Sequence, residues 1–213
     1  MGLWKFKVHL EETGRVIIFI NMILLKSLLS ETDIGGRNVQ VYLDLDGVMV
    51  DLDSGFKEVS GGILPSELTD KKCNGDRREA KKLFWKLIGT NGADFWANLK
   101  PMPDAMVLWN FFKKYHPIIL TAGKGTEILQ GKTQWCHKHL GSNINPILAV
   151  SGIKKSEYIT NDPNTVHVLI DDTQKNIESW NSPSEHRIAI SHKNAAESIR
   201  KFSELYLKPT TTT

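Results

Sequence analysis

Five short apolar runs, separated by stretches with helical spacing, leave this chain few ways to fold. They are "VQVYLDLD" (39–46), "PIILT" (117–121), "INPILAV" (144–150), "VHVLIDD" (166–172) and "HRIAIS" (186–191). Each is almost continuously hydrophobic, the pattern of strands buried on both faces of a parallel sheet. Between them, "DAMVLWNFFKKYH" puts Val107, Leu108, Phe111 and Phe112 at helical spacing, with Asp104 as a candidate N-cap after Pro103. "GKTQWCHKHLG" reads as a second helix stopping near Gly141, and "TQKNIESW" as a third. Strands alternating with helices predict an α/β fold, a doubly wound, Rossmann-like parallel sheet of five strands. In such sheets ligands bind beyond the carboxyl ends of the strands.

One connection is too long for a crossover. About 65 residues separate Asp51 from Pro117, and they carry helical signals of their own in "PSELTDKK", "DRREAKKLFWKLIG" and "ADFWANL". The expected organisation is a core of residues 39–51 and 117–207, with a helical cap insertion and return helix over 52–116. Residues 1–38 read as an N-terminal appendage with no assigned role, and 208–213 ("KPTTTT" at its end) as a disordered tail. The apolar stretch "VIIFINMILL" (16–25) is about half the length of a membrane span and contains Asn21, so no membrane partner is expected. It also lacks a small-residue cleavage site for a signal peptide. With two well-separated cysteines, Cys73 and Cys136, the default setting is reducing and cytoplasmic. A net charge of +3 suits a small phosphorylated substrate and gives no reason to expect a stable nucleic-acid complex; a homodimer stays open.

Polar residues gather where the strands end. Asp44 and Asp46 follow the first, Thr121 ends the second, Asp171 and Asp172 end the fourth, and Lys154 and Lys155 precede the fourth. Singly, these are turn formers, helix caps and solvated lysines. Together, at one edge of one sheet, they form a candidate site. Two carboxylates as close as Asp44 and Asp46 repel each other unless a cation or a shared proton neutralises them.

The order "DLDGV", "ILT", a lysine and "LIDD" resembles the haloacid dehalogenase (HAD) superfamily of phosphohydrolases, over a span from Val41 to about Asp172. Within it the chain looks most like the 5'(3')-deoxyribonucleotidases and their phage and bacterial relatives, through "FWANLKPMPDA" (95–105), "KTQW" (132–135) and the helical cap after the first motif. The resemblance implies a sheet of HAD type and an enzyme dependent on Mg²⁺. It implies Asp44 as nucleophile and metal ligand, with the Asp46 backbone carbonyl and Asp172 completing the protein ligands while Asp171 holds a water or orients a neighbour. Lys132 matches a second substrate-contacting lysine, a role to weigh against that of a solvated helix residue. The third-motif lysine is Lys154 or Lys155.

The chemistry suits these residues. Phosphomonoester hydrolysis needs an in-line nucleophile, neutralised phosphoryl oxygens and a proton for the leaving alkoxide. Asp44 can attack phosphorus, and Asp46 can serve as acid and then base, with a pKa raised by its neighbour's charge. Thr121 offers its hydroxyl, and the amides of Ala122 and Gly123 a turn, to the phosphate oxygens. In the cap, Phe84–Trp85 and Phe95–Trp96 are candidates for stacking a base or for the cap's own core. Leu52 stands where the resembled family has an aromatic residue, which puts the usual base-stacking arrangement in doubt.

The resemblance implies a nucleoside monophosphate as substrate, with a polynucleotide 3' end or a sugar phosphate as the alternative. A basic groove leading to the site would favour the polynucleotide, and a closed aromatic cap the mononucleotide. A receiver-type signalling domain carries its acids and lysine in the reverse order and has no cap. A non-catalytic binding protein would have been free to lose Asp44, Asp46, Thr121 or Asp172.

Overall fold

The computed structural model describes residues 37–207, apart from 151 and 161. The readings made for residues 1–36, the tail over 208–213 and the apolar stretch 16–25 lie outside the described residues. Asn38, assigned from sequence to the appendage, belongs to the first strand.

The sheet has five parallel strands: β1 (Asn38–Leu43), β2 (Ile118–Ala122), β3 (Ile147–Ala149), β4 (Thr165–Asp171) and β5 (Arg187–Ser191). Their order is β3-β2-β1-β4-β5, so β1 is central and the strands on both sides run with it. Residues Asn38 to Leu43 register on Thr165 to Ile170, while Tyr42 and Leu43 register on Ile118 and Ile119. This brings the ends of β1, β2 and β4 to one place. β1 stops at Leu43, before the aspartates, and β3 is shorter than its apolar run because Pro146 cannot donate to a ladder.

Successive residues of β1 face opposite layers. Val39, Val41 and Leu43 join the larger core with Phe112 and Phe202, whereas Tyr42 joins Leu120, Leu169 and Trp180 on the other side. Helices α5 (Ala105–Phe112) and α8 (Ala195–Leu207) cover the first face, with the Phe112 and Phe202 rings 4.8 Å apart edge to face. The sequence reading placed no helix after β5. Asp104 does stand at the N-cap of α5, but its carboxylate makes no cap bond there; it accepts from the Ala195 amide and so caps α8 instead. The helix after β2, α6, runs Thr126–His139, starting five residues before "GKTQW" at Gly125, whose φ of +105° suits glycine. Helix α7 (Gln174–Trp180) follows β4.

Between β1 and α5 lie α1 (Leu52–Val59), a 3₁₀ turn at Pro65–Glu67, α2 (Leu68–Lys72), α3 (Arg77–Gly89) and α4 (Gly92–Ala97). Asp51 starts α1 by accepting from the Ser54 amide at 2.9 Å, and Asp76 starts α3 by accepting from the amides of Arg78 and Glu79. Entry to and exit from these cap helices are tied together. Val50 pairs with Pro101, the Asp51 amide donates to the Lys100 carbonyl, and the Met102 amide to the Met49 carbonyl. Among the described residues no helix is long and apolar enough to cross a membrane.

Candidate active site

Past Leu43 the chain folds into a knot on one carbonyl. The amides of Val48, Met49 and Val50 all converge on the Leu45 carbonyl at 2.8–3.2 Å, and Gly47 donates to Val50. Gly47 takes φ +76°, and a Cβ on it would lie 2.2 Å from Asp172 Oδ2. Only glycine lets the loop pass that close to the carboxylate. Asp44, Asp46 and Asp172 thereby line one pocket of about 420 Å³, together with Leu52, Met102 and Asn176.

Asp44 is buried, and its two oxygens differ. Oδ1 accepts from the Leu45 amide at 2.8 Å and pairs with Lys155 Nζ at 3.0 Å; Oδ2 has no hydrogen bond among the described residues. Lys155 is 3% exposed and also donates to Asp171 Oδ2 at 2.6 Å. Burial pulls its pKa down, but Asp44 and Asp171 outweigh that and hold the ammonium above the usual lysine range. Lys155 therefore occupies the place left open between two neighbours in sequence. It opens the 3₁₀ turn Lys155–Tyr158, which turns its side chain inward; Lys154, one residue before the turn, is exposed and outside the site.

Asp171 is fully buried and saturated. Oδ1 accepts from the Thr173 amide, Oδ2 from Lys155, and both oxygens from Asn176 Nδ2 at 3.0–3.1 Å. Asp172 accepts from the Thr173 hydroxyl at 3.2 Å and, among the described residues, has no cation paired with it. Its carboxyl is pushed up to about 6, by partial burial first and then by the charges of Asp44 and Asp171. One oxygen from each of Asp44, Asp171 and Asp172 lies within 4.8 Å of the others, a spacing open to a hard divalent cation.

Lys132 is 2% exposed and serves the other carboxylate. Its Nζ donates to Asp46 Oδ2 at 2.6 Å, Thr121 Oγ1 at 2.7 Å and the Ala122 carbonyl at 2.9 Å, and lies 4.7 Å from the centre of the Trp96 ring. Close helix packing buries it: a Cβ on Gly131 would meet the Ala93 carbonyl at 2.2 Å, so only glycine lets α6 approach α4 this nearly. The solvated-helix reading of Lys132 is thus overturned. Asp46 Oδ1 is buried without a partner among the described residues, and the Asp46 pKa is raised, by burial first and by the charge of Asp44, against the opposing pull of Lys132.

Other expectations change. The Gly123 amide is taken by the Ala149 carbonyl at 3.1 Å, which removes it as a phosphate donor. Thr121 is fully buried with its hydroxyl on Lys132, and Ala122 lines the pocket. Of the aromatic candidates, Phe95 and Trp96 are buried in the core, and Phe84 stacks on Phe56 at 4.8 Å. Trp85 alone presents its ring to solvent, away from this pocket. Leu52 does line it. Sequence reasoning missed Asn176, although a polar residue one turn into the helix after "LIDD" was a usable signal.

No protein-family model and no curated protein matches the chain. Among solved structures it aligns over 81% of its length with all of a Burkholderia xenovorans LB400 protein described as a haloacid dehalogenase-like hydrolase, at 10% identity and a TM-score of 0.47. It aligns over 79% of its length with 97% of a HAD-superfamily hydrolase from Ehrlichia chaffeensis, at 16% identity and a TM-score of 0.40. Likeness of that degree leaves the chemistry to the residues themselves.

Proposed function

We propose that the chain is a Mg²⁺-dependent phosphomonoester hydrolase of HAD type that works through an aspartyl-phosphate on Asp44, with a (deoxy)nucleoside monophosphate as substrate in the manner of a 5'(3')-deoxyribonucleotidase. The observation that carries the reading is the asymmetry of Asp44. Oδ1 is fixed by a backbone amide and Lys155, which leaves Oδ2 as the attacking atom, in a pocket with Asp46 and Asp172.

In the first half-reaction Asp44 Oδ2 bonds to phosphorus as the P–O ester bond breaks, and Asp46 gives its proton to the departing alkoxide. Burial keeps that proton on Asp46 at higher pH than an exposed aspartate would hold it, and Oδ1, without a partner, is the atom to carry it. In the second half-reaction Asp46 takes a proton from water, whose oxygen attacks phosphorus and releases Asp44 and inorganic phosphate. Lys155 holds Asp44 in place, and Lys132 orients Asp46 through Oδ2.

The donor set fits magnesium: oxygen atoms only, anionic, with the Asp172 carboxyl raised by burial and by the neighbouring Asp44 and Asp171, and with no cation paired to it among the described residues. Asp44 and Asp172 would hold the ion directly, while Asp171, its oxygens already taken, positions Lys155 and Asn176. When bound, the ion neutralises the phosphoryl oxygens and orients them.

A phosphate-release screen over deoxy- and ribonucleoside 5'- and 3'-monophosphates tests this, run with Mg²⁺, with chelator and with Asp44→Asn. The expected result is release from a nucleotide that falls on the order of 10⁴-fold in the variant and vanishes with chelator. Turnover that survives either change sinks the mechanism.

A further inference from the structure

We infer that the outer face of α3 is a docking surface for single-stranded nucleic acid, so that the Asp44 site acts on the terminal phosphate of a strand as well as on a free mononucleotide, and on the strand more efficiently. The second clause rests on the phosphohydrolase reading; the first stands without it. It replaces the expectation that no nucleic-acid complex forms.

Arg77, Lys81 and Trp85 follow one another at intervals of four, and so do Arg78, Lys82 and Lys86. Two such rows lie side by side on one half of a helix. All six residues are exposed, Trp85 at 42%. The face is therefore single-signed, with an indole among five cations. Of the two acids of this helix region, Asp76 is folded back onto the helix's first amides, and Glu79 stands at the edge of the face, one turn before Lys82.

Some helix-surface cations of this molecule are paired within one turn, whereas α3 gathers five that, among the described residues, are not. On α8, Arg200 pairs with Glu204 and Lys201 with Glu197, and at α2 Lys71 pairs with Glu67, each one turn away. Among the described residues none of the five α3 cations has an ion pair. Unpaired cations around an exposed aromatic ring are what a strand's phosphates and bases recognise: charge tracks the backbone and the ring stacks on a base. Phe84 holds the Trp85 ring edge to face at 5.2 Å, so the indole is positioned before any base arrives.

The surface runs toward the catalytic pocket. Trp85, Gly89 and Trp96 share a cleft of about 260 Å³ with Lys124, Gly125 and Thr126, where α6 begins. Glu127 is the acid in this cleft, and Lys124 faces it with the opposite charge. Trp96 lies under Lys132, which holds Asp46 and the Ala122 carbonyl, and Ala122 lines the pocket of Asp44. The cleft and the pocket adjoin along the loop after β2, where Lys124 of the cleft stands two residues from Ala122 of the pocket, while Trp96 and Lys132 between them are buried. Phe84, Phe95 and Trp96 are spent inside the cap, so no closed aromatic cage for a mononucleotide competes with a strand.

The test is fluorescence anisotropy with a labelled 8-nucleotide single strand, on the full chain and on Asp44→Asn with Mg²⁺. The expected outcome is binding whose logarithm falls with the logarithm of salt with a slope of about −3, from four or five phosphate contacts. Lys81→Glu/Lys82→Glu should weaken it more than tenfold, and Trp85→Ala roughly tenfold. Equal binding of a duplex, or displacement by polyglutamate with Trp85→Ala without effect, overturns the proposal in favour of a general polyanion or acidic-protein surface. No binding at low salt also overturns it. On the catalytic side, kcat/KM for a strand with a terminal 3'- or 5'-phosphate should exceed that of the matching mononucleotide at least tenfold at low salt. Release of phosphate from p-nitrophenyl phosphate reports the Asp44 site separately. If that ester turns over and the strand neither binds nor reacts better than the mononucleotide, docking fails alone; if neither substrate turns over but the strand binds, the hydrolase reading fails alone.

Discussion

The carboxyl edge of the sheet and the outer face of α3 both concentrate charge, and they do so in opposite ways. At the sheet edge every charge but that of the exposed Asp172 is largely buried and tied to another: Lys155 to Asp44 and Asp171, Lys132 to Asp46. On α3 the cations are exposed and, among the described residues, without an ion pair. The difference separates two tasks. Reacting groups need fixed positions, which buried pairs enforce at the cost of desolvation, whereas a surface that meets a polyanion needs charge that is available to it.

Removing one lysine from each region gives the largest contrast in stability. Lys155→Met leaves Asp44 and Asp171 facing each other in the interior without a cation, and breaking a buried pair on one side costs about 3–5 kcal/mol. Lys82→Met on α3 removes nothing the fold uses and should stay within about 0.5 kcal/mol. Urea unfolding of both variants checks this. A Lys155→Met protein nearly as stable as the parent would mean that water reaches the cluster, and the comparison between the two regions would collapse.

The fold was largely legible from sequence because its strands are buried on both faces, which writes them as apolar runs. β2, β4 and β5 follow those runs closely, whereas β1 ends three residues before its run does and β3 takes only the part of its run after Pro146. The site was legible wherever a strand end delivered the side chain, as for Asp44, Thr121, Asp171 and Asp172. It was illegible where tertiary contact decides. Lys132 is buried because Gly131 lets two helices touch, and Lys155 is selected over Lys154 by the phase of one 3₁₀ turn. Likewise, the cap's aromatic pairs carry no mark that tells a ring packed on Phe56 from one open to solvent.

Within the sheet edge, the saturated Asp171 and the sparsely bonded Asp172 invite a finer cut. If Asp172 holds the metal directly, Asp172→Asn should raise the Mg²⁺ concentration for half-maximal stabilisation and activity at least about tenfold, with rate partly restored by excess ion. Asp171→Asn should instead lower stability, since it frees Lys155 and Asn176 from a shared acceptor. Magnesium titrations followed by both thermal shift and phosphate release separate the two. Equal metal dependence in both variants would merge the roles.

The smallest expected effect lies on the other face of β1, where a buried group is neutral rather than paired. His167 Nδ1 lies 3.2 Å from the Tyr42 hydroxyl, and Nε2 is buried without a partner. Burial lowers the His167 pKa below its usual 6.5, with Asp162 opposing and Arg187 and His186 assisting, and burial raises that of Tyr42 to about 12. Below pH 6.5 the unfolded chain takes up a proton that the folded one resists, so His167 favours folding at neutral pH and that advantage is lost as the solution is acidified through 6.5. One proton is worth at most about 1.4 kcal/mol per pH unit. His167→Gln can keep the bond to Tyr42 while removing the titration. Between pH 7.5 and 5.5 its unfolding free energy should therefore fall less than the parent's, and because the sheet-edge carboxylates titrate alike in both proteins, their contribution cancels. Parallel pH profiles would show that His167 stays protonatable in the fold, and hence that this face, like α3, admits water to its cation.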